Sequence, residues 1–396
     1  MTRTNDYSYG RPTAEEEFNA LADILAHAFN FKAEDAAPWF DKAGRDNIRT
    51  VRASDAVVAG MMILPMGQYF GGQEVSMAGI AGVGVKPTYW RQGYASRMMR
   101  DALAELREGD YALSTLYASN QPLYRAVGYE QAGGRYIARI SPQKIDIVER
   151  TMTVRPFDEA DREAVYALYK TSAKGQAGAL ERSEYIWDRL SRLRWGNPAH
   201  GILVEDDRGT LQGYLFYRKT GPTGDRHELS ITDCVAHTER AARRLWTQIS
   251  DFGPMVKAIE LPSSPTDPFY FLLPHPFAKM QLWENWLLRI VNVERALSER
   301  GYPEALTATV ELEVRDETLN ANQGRYALSV TEGQVDLSRG GRGKIECDIR
   351  ALAAIYSGFA TPQMLRSCGL LDGSEEELKT LAAIFAGPAP WMRESF

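Results

Sequence analysis

Residues 78–106 read AGIAGVGVKPTYWRQGYASRMMRDALAEL. An apolar strand runs to Val85, breaks at Lys86-Pro87, passes a basic turn with one glycine, and continues as an amphipathic helix. Met99, Ala102, Leu103 and Leu106 fall on one helical face, with Arg97, Arg100 and Glu105 around it. Strand, turn and helix in that order aim successive backbone N–H groups and the positive helix end at one point. Such a point accepts an anion and suits a diphosphate.

Elements of ordinary α/β character surround this stretch. Residues 14–29 place Phe18, Leu21, Ile24, Leu25 and Phe29 on one helical face behind an acidic first turn. Two strand-like runs occupy 51–66, and Gly71-Gly72 turns a hairpin into 75–85. After the anion turn and its helix comes a strand-like run, 111–119. The segment NQPLYRAVGY, Asn120–Tyr129, follows it, with Pro122 suited to a first helical turn and Gly128 to the end. A strand pair over 130–140 is expected to close the unit.

Strand, V-x-V-x-P, basic-glycine turn and helix, followed by N-x-x-L-Y-x-x-x-G-Y, resembles the GNAT superfamily of acetyl-CoA-dependent N-acetyltransferases. The superfamily's phosphate motif is Q/R-x-x-G-x-G/A. Trp90-Arg91-Gln92-Gly93-Tyr94-Ala95 keeps the glycine but puts Trp90 at the first position, where Arg91 is the nearest charge. The resemblance makes the turn a coenzyme-A cradle. Arg91, Gln92, Gly93, Tyr94 and Ala95 hold the diphosphate, Val83 and Val85 pair with the pantetheine arm, and Ser119 and Asn120 complete the site. Tyr124, four residues after Asn120 on one short helix, is the expected general acid. A phenol of pKa about 10 keeps its proton at neutral pH and can give it to a thiolate.

From Thr151 a second unit repeats the plan in degenerate form. Its strand-to-helix turn, Ala236–Ala241, lacks glycine and carries Glu239, which repels phosphate. Prolines 262, 265, 268, 274 and 276 mark an ordered connector. Beyond about Leu287, strands at 308–314, 326–331 and 334–337 precede helices at 349–358 and 374–385, like a sterol-carrier-protein domain. The expected fold is therefore α/β (α+β): two tandem GNAT-like domains, the second degenerate, at 1–147 and 148–286, and the sterol-carrier-protein-like domain at 287–396.

That domain order resembles the Eis (enhanced intracellular survival) family of N-acetyltransferases. The resemblance implies acetylation of amines on aminoglycosides or other cationic compounds, a hexamer, and the terminal carboxylate, here of Phe396, as the base. The tail Pro390–Phe396 is apolar and aromatic, as an inserted chain end would be. Phe29, Trp39 and Phe40 are candidates to line a substrate opening, and Glu394 or Asp35 to meet an ammonium. His27, His200, His227, His237 and His275 read as scattered, away from both motifs.

Composition sets the outer bounds. The chain has 396 residues, 44% apolar and 25% charged, with net charge -6. That argues against a nucleic-acid partner, which needs a concentrated basic surface. Cys234, Cys347 and Cys368 lack metal-ligand spacing and read as small core residues in a reducing cytoplasm. That cysteine spacing gives no metal to expect, and without an apparent signal core or membrane-spanning run no membrane is expected. Without a placed cysteine the amine is expected to attack the thioester directly. Two other functions fit the pattern: a protein lysine or N-terminal acyltransferase, and a lipid-binding carrier whose GNAT-like units are scaffold.

Overall fold

The computed structural model describes residues 7–192, 194, 197–221, 227–274 and 278–396. His275 and Pro276 lie outside the described residues. Contacts gather the chain into two units. The first comprises 1–132, 286–388 and Phe396; the second comprises 133–285 and 389–395.

The first unit opens with β1 (Tyr7–Gly10), α1 (Glu15–Phe29), α2 (Ala36–Ala43), β2 (Ile48–Ala53), β3 (Ala56–Phe70) and β4 (Gln73–Val85). These strands form an antiparallel run in chain order. Then come α3 (Tyr94–Glu108), β5 (Leu113–Tyr117), parallel to β4, and α4 (Gln121–Arg125). Residues on β3 alternate as a two-sided sheet requires. Ala59 and Met61 join the core under Met98, Met99, Ala102 and Leu103 of α3. Gly60, between them, faces Leu21 of α1, where a Cβ would stand 2.5 Å from Leu21 Cδ1. The two helices therefore cover opposite faces of β3 and β4.

The second unit contains β6 (Glu130–Ile140, from Gly133 onward), β7 (Thr153–Pro156), α5 (Arg162–Lys174), β8 (Leu180–Glu181), α6 (Glu184–Ser191), β9 (His200–Glu205) and β10 (Leu211–Thr220). It continues with β11 (His227–Ala236), α7 (Glu239–Asp251), β12 (Val256–Ser263) and α8 (Pro268–Phe271). The β11–α7–β12 crossover is parallel, as β4–α3–β5 is in the first unit, and Thr238 caps α7 where the first turn has Gly93.

Residues 130–140 were expected to close the first domain as a strand pair, and the structure corrects this. They form one strand, whose Tyr136–Ile140 pairs with β12 in the second unit. The place beside β5 is taken by Trp286–Ile290 at the end of β13 (Lys279–Ile290). Each parallel crossover thus has an antiparallel neighbour from a distant part of the chain.

The rest of the first unit is α9 (Val293–Glu299), β14 (Thr307–Arg315), β15 (Gly324–Thr331), β16 (Gln334–Arg339), β17 (Ile345–Asp348), α10 (Ile349–Ser357), α11 (Pro362–Ser367), β18 (Leu371–Asp372) and α12 (Glu375–Ile384). Its five strands run β16-β15-β14-β17-β18, and every residue of α10 except Arg350 is buried. This portion locks onto the N-terminal one at the β3–β4 hairpin. The Gly301 N–H donates to Phe70 O at 3.1 Å, and a Cβ on Gly71 would stand 2.1 Å from Gly301 O. Buried Arg289 pairs with Asp316 at 2.7 Å. Cys234 and Cys347 are buried as expected, whereas Cys368 is exposed, a departure from the core reading. Among the described residues no helix is long and apolar enough to cross a membrane.

Candidate active site

β4 and β5 pair only from Met77–Leu113 to Gly79–Thr115, and both strands continue beyond that point. Between the pairs Met62–Ala81 and Gly60–Gly84, β4 carries one extra residue. This is a bulge, and Gly82 adopts the φ of +58° that it needs. Past the end of the strand, Arg91 (φ +59°) and Gly93 (φ +83°) turn the chain sharply into α3. The first N–H groups of α3 have no intrahelical partners by helix geometry.

A cleft of about 540 Å³ opens here. It brings together Val83, Val85, Arg91, Gly93, Tyr94, Ala95, Ser119, Asn120 and Tyr124. Gln92 is absent from this lining and turns back, its side-chain N–H donating to Thr88 O at 3.0 Å. Leu123, the leucine of the N-x-x-L-Y motif, also lines the cleft, as do Ala28, Tyr89 and Ser96, which no motif in the sequence singled out. Trp90 lines it as well. Its indole N–H donates to Val85 O at 2.7 Å, tying the turn to the strand end, while the residue stays 57% exposed. The ring of His27 lies 6.4 Å from that of Trp90. One histidine therefore does sit beside the turn, contrary to the sequence expectation: α1 folds over the strand end.

Tyr124 stands on α4, whose first turn contains Pro122, and is 5% exposed. Burial alone pushes its phenol up to about 12, so the proton is held firmly at neutral pH. Tyr129 lies 6.0 Å away, its hydroxyl 2.8 Å from Ser114 Oγ. Gly128 takes φ +91°, and a side chain there would run into the Arg289 guanidinium at 2.8 Å.

The chain end is ordered. The Phe396 ring lies over Gly79, where β4 and β5 cease to pair, and 5.7 Å from the ring of Tyr117. Within the second unit, Trp391 and Met392 donate backbone N–H groups to Ala177 O and Gly134 O, both at 3.1 Å. Glu394, a candidate for an ammonium, is 2% exposed and paired with buried Arg182, which also binds Asp233. Of the other substrate candidates, Phe29 is 49% exposed. Trp39 packs 5.8 Å from Phe31 and reaches Gly82 on the bulge. Asp35 immediately precedes α2 and is half-buried. Phe40 is 1% exposed, beside Phe18, and with it lines a separate cavity of about 220 Å³.

The acetyltransferase (GNAT) domain family matches residues 10–132 and, through a second family of the same description, 178–290; the sterol carrier protein domain family matches 293–393. A solved structure of a GCN5-related N-acetyltransferase from Anabaena variabilis is 34% identical, covering 98% of this chain and 100% of that one at a TM-score of 0.94. The chain belongs to the GCN5-related N-acetyltransferases. An uncharacterised N-acetyltransferase of Streptomyces griseus is 28% identical over 350 residues, 82% of this chain and 83% of that protein. Eis1 from Mycobacterium abscessus, at 23% identity and TM-score 0.80, covers 98% of this chain and 100% of its own; it shares the fold. As a GCN5-related N-acetyltransferase the protein is an acyltransferase of a family that uses acetyl-CoA and acylates amines.

Proposed function

We propose that the protein transfers acetyl from acetyl-CoA to a small cationic amine, aminoglycosides included, by direct attack in a ternary complex. The observation that carries this reading is the cleft at the end of β4, where the glycine turn, the start of α3 and the buried phenol of Tyr124 share one lining. A co-substrate diphosphate fits the turn, because Gly93 presents no Cβ and nothing lies within 4 Å of where one would be. Arg91 and the N–H groups of α3 supply the positive potential.

In this mechanism the amine nitrogen bonds to the thioester carbonyl carbon and the C–S bond breaks. Tyr124 Oη gives its proton to the departing thiolate, and the carboxylate of Phe396 takes the proton lost by the amine. The seating of the Phe396 ring on Gly79 supports the second role, since it holds the chain end beside the parting strands. The cationic acceptor class and a hexameric assembly are proposed on the full-length sequence resemblance to the Eis family.

The test is thiol release from acetyl-CoA against aminoglycosides, polyamines and lysine peptides, with coenzyme-A binding measured separately. Release with a cationic small amine supports the proposal. Binding of acetyl-CoA with no release for any acceptor overturns it.

A further inference from the structure

The second unit contains a cavity of about 570 Å³ with five guanidinium groups in its wall, those of Arg135, Arg189, Arg194, Arg218 and Arg393. Among the described residues two carboxylates share the wall, and both are engaged elsewhere. Glu260 accepts from Arg139 at 2.6 Å, and Glu394 accepts from Arg182 Nε at 2.6 Å.

Arg135 lies 4.0 Å from Glu284 and Arg393 is offset by Asp267 and Asp233, but Arg189, Arg194 and Arg218 are poorly matched. Arg218, 6% exposed, donates among the described residues to the backbone carbonyls of Arg189, Arg192 and Asn197, which orient the guanidinium without neutralising it. Arg189 donates to the Tyr185 hydroxyl at 2.8 Å, while its buried Nε has no hydrogen-bond partner among the described residues. Burial first, then the like charge of Arg189 and more weakly those of Arg218 and Arg135, pull Arg194 down to about 10, with Tyr185 opposing. Burial and Arg189 lower Arg218 too. Three cations crowded in a half-enclosed space raise each other's energy unless an anion joins them. Guanidinium forks match the oxygens of phosphate and carboxylate in geometry as well as charge.

The remaining wall is mixed: Asn197, Thr220, Ser230, Thr232 and Ser395 are polar, and an apolar portion lies among them. Ile137, Ile186 and Leu190 line it, and Trp283 presents an indole 60% exposed. We propose that this cavity binds a small molecule through a phosphoryl or carboxyl group held by Arg189, Arg194 and Arg218, with an apolar body against Trp283. The site is separate in kind from the glycine turn of the first unit: it is built from side chains on α6, β10 and the segment after α6, not from a helix start.

The test is calorimetric titration of the full chain with phenyl phosphate, phenylacetate and, as a cation of similar body, benzylamine. Saturating coenzyme A is present throughout, so the turn of the first unit is filled. Wild type is expected to bind at least one of the two anions at one site per chain and not benzylamine. The stronger of the two identifies the group as phosphoryl or carboxyl. Arg189→Gln with Arg194→Gln is expected to weaken that anion at least tenfold. Because it removes mutually repelling charges, the double variant is also expected to melt at or above the wild-type temperature. If it folds poorly, Arg194→Gln alone is expected to weaken the anion at least threefold.

Failure of wild type to bind either anion, unchanged affinity in the variants, or equal binding of benzylamine overturns the proposal. Coenzyme-A affinity, titrated first in each protein, reports on the acetyl-transfer reading independently.

Discussion

Gly79→Ala tests the proposed role of the chain end with one methyl group. A Cβ at Gly79 would stand 2.5 Å from Met66 Cε and 2.8 and 3.1 Å from two carbons of the Phe396 ring. The methionine end can swing away at little cost. The Phe396 ring has to shift as a whole, by about 0.7 Å, because carbon contacts settle near 3.5 Å. A misplacement approaching 1 Å in a reacting group costs roughly a hundredfold. A kcat lower by about ten- to a hundredfold is therefore expected, against a stability loss of about 1–3 kcal/mol for overpacking. Coenzyme-A affinity should hold, since Gly79 lies outside the cleft lining. Steady-state thiol release, calorimetric coenzyme-A titration and thermal melting separate the three effects. Adding Met66→Ala relieves only the methionine contact and should leave kcat low. Deleting Phe396, or appending one alanine after it, should cost more. Wild-type kcat in those two tail variants would refute the reasoning, whatever Gly79→Ala did.

Other positions give sharper single answers. Tyr124→Phe should lower turnover at least tenfold with the melting temperature and coenzyme-A affinity kept; unchanged turnover removes the phenol from the mechanism. With that phenol pushed up to about 12, no alkaline loss of activity on its account should appear below about pH 10 in a pH–rate profile. Gly93→Ala forces a side chain into φ +83° at about 1–2 kcal/mol. Its methyl also stands where the diphosphate would lie, so coenzyme-A affinity should fall at least tenfold by titration. In the second unit, burial pushes Asp233 up but Arg182 outweighs it and holds the carboxyl below its ordinary value of 3.8. The stability this gives is complete above that value and is lost as pH falls through the folded pKa. Asp233→Asn should lose stability at neutral pH yet show a flatter decline of melting temperature below about pH 4. Glu394→Ala breaks the same buried group and should cost about 3–5 kcal/mol by denaturant melting.

The local grammar of the site was legible because it is contiguous. Strand, glycine turn and helix from Gly79 to Leu106, and the segment around Tyr124, need only neighbours in sequence to be read. Gly82 was harder, since a bulge is defined by its partner strand and not by its own letters. Strand partnership was not legible for the same reason. Residues 130–140 look like the natural close of the first domain, yet they pair with β12, and the place beside β5 goes to 286–290, which the sequence offered only as the boundary of the third domain. Glu394 shows a further limit. A terminal glutamate reads as solvated, and only the buried Arg182 some two hundred positions earlier accounts for its burial. The arginine-lined cavity escaped altogether, because its charges are spread over 135–393 inside a chain of net charge -6.

The meeting of Gly71 and Gly301 leaves no room for even a methyl group on either backbone. Hairpin tips are usually where a lineage experiments, taking insertions and bulky residues freely. Here a side chain on either glycine would force the hairpin and the sterol-carrier-like module apart. A chimera that exchanges one for a relative's copy must carry the other with it, or restore both glycines at the seam.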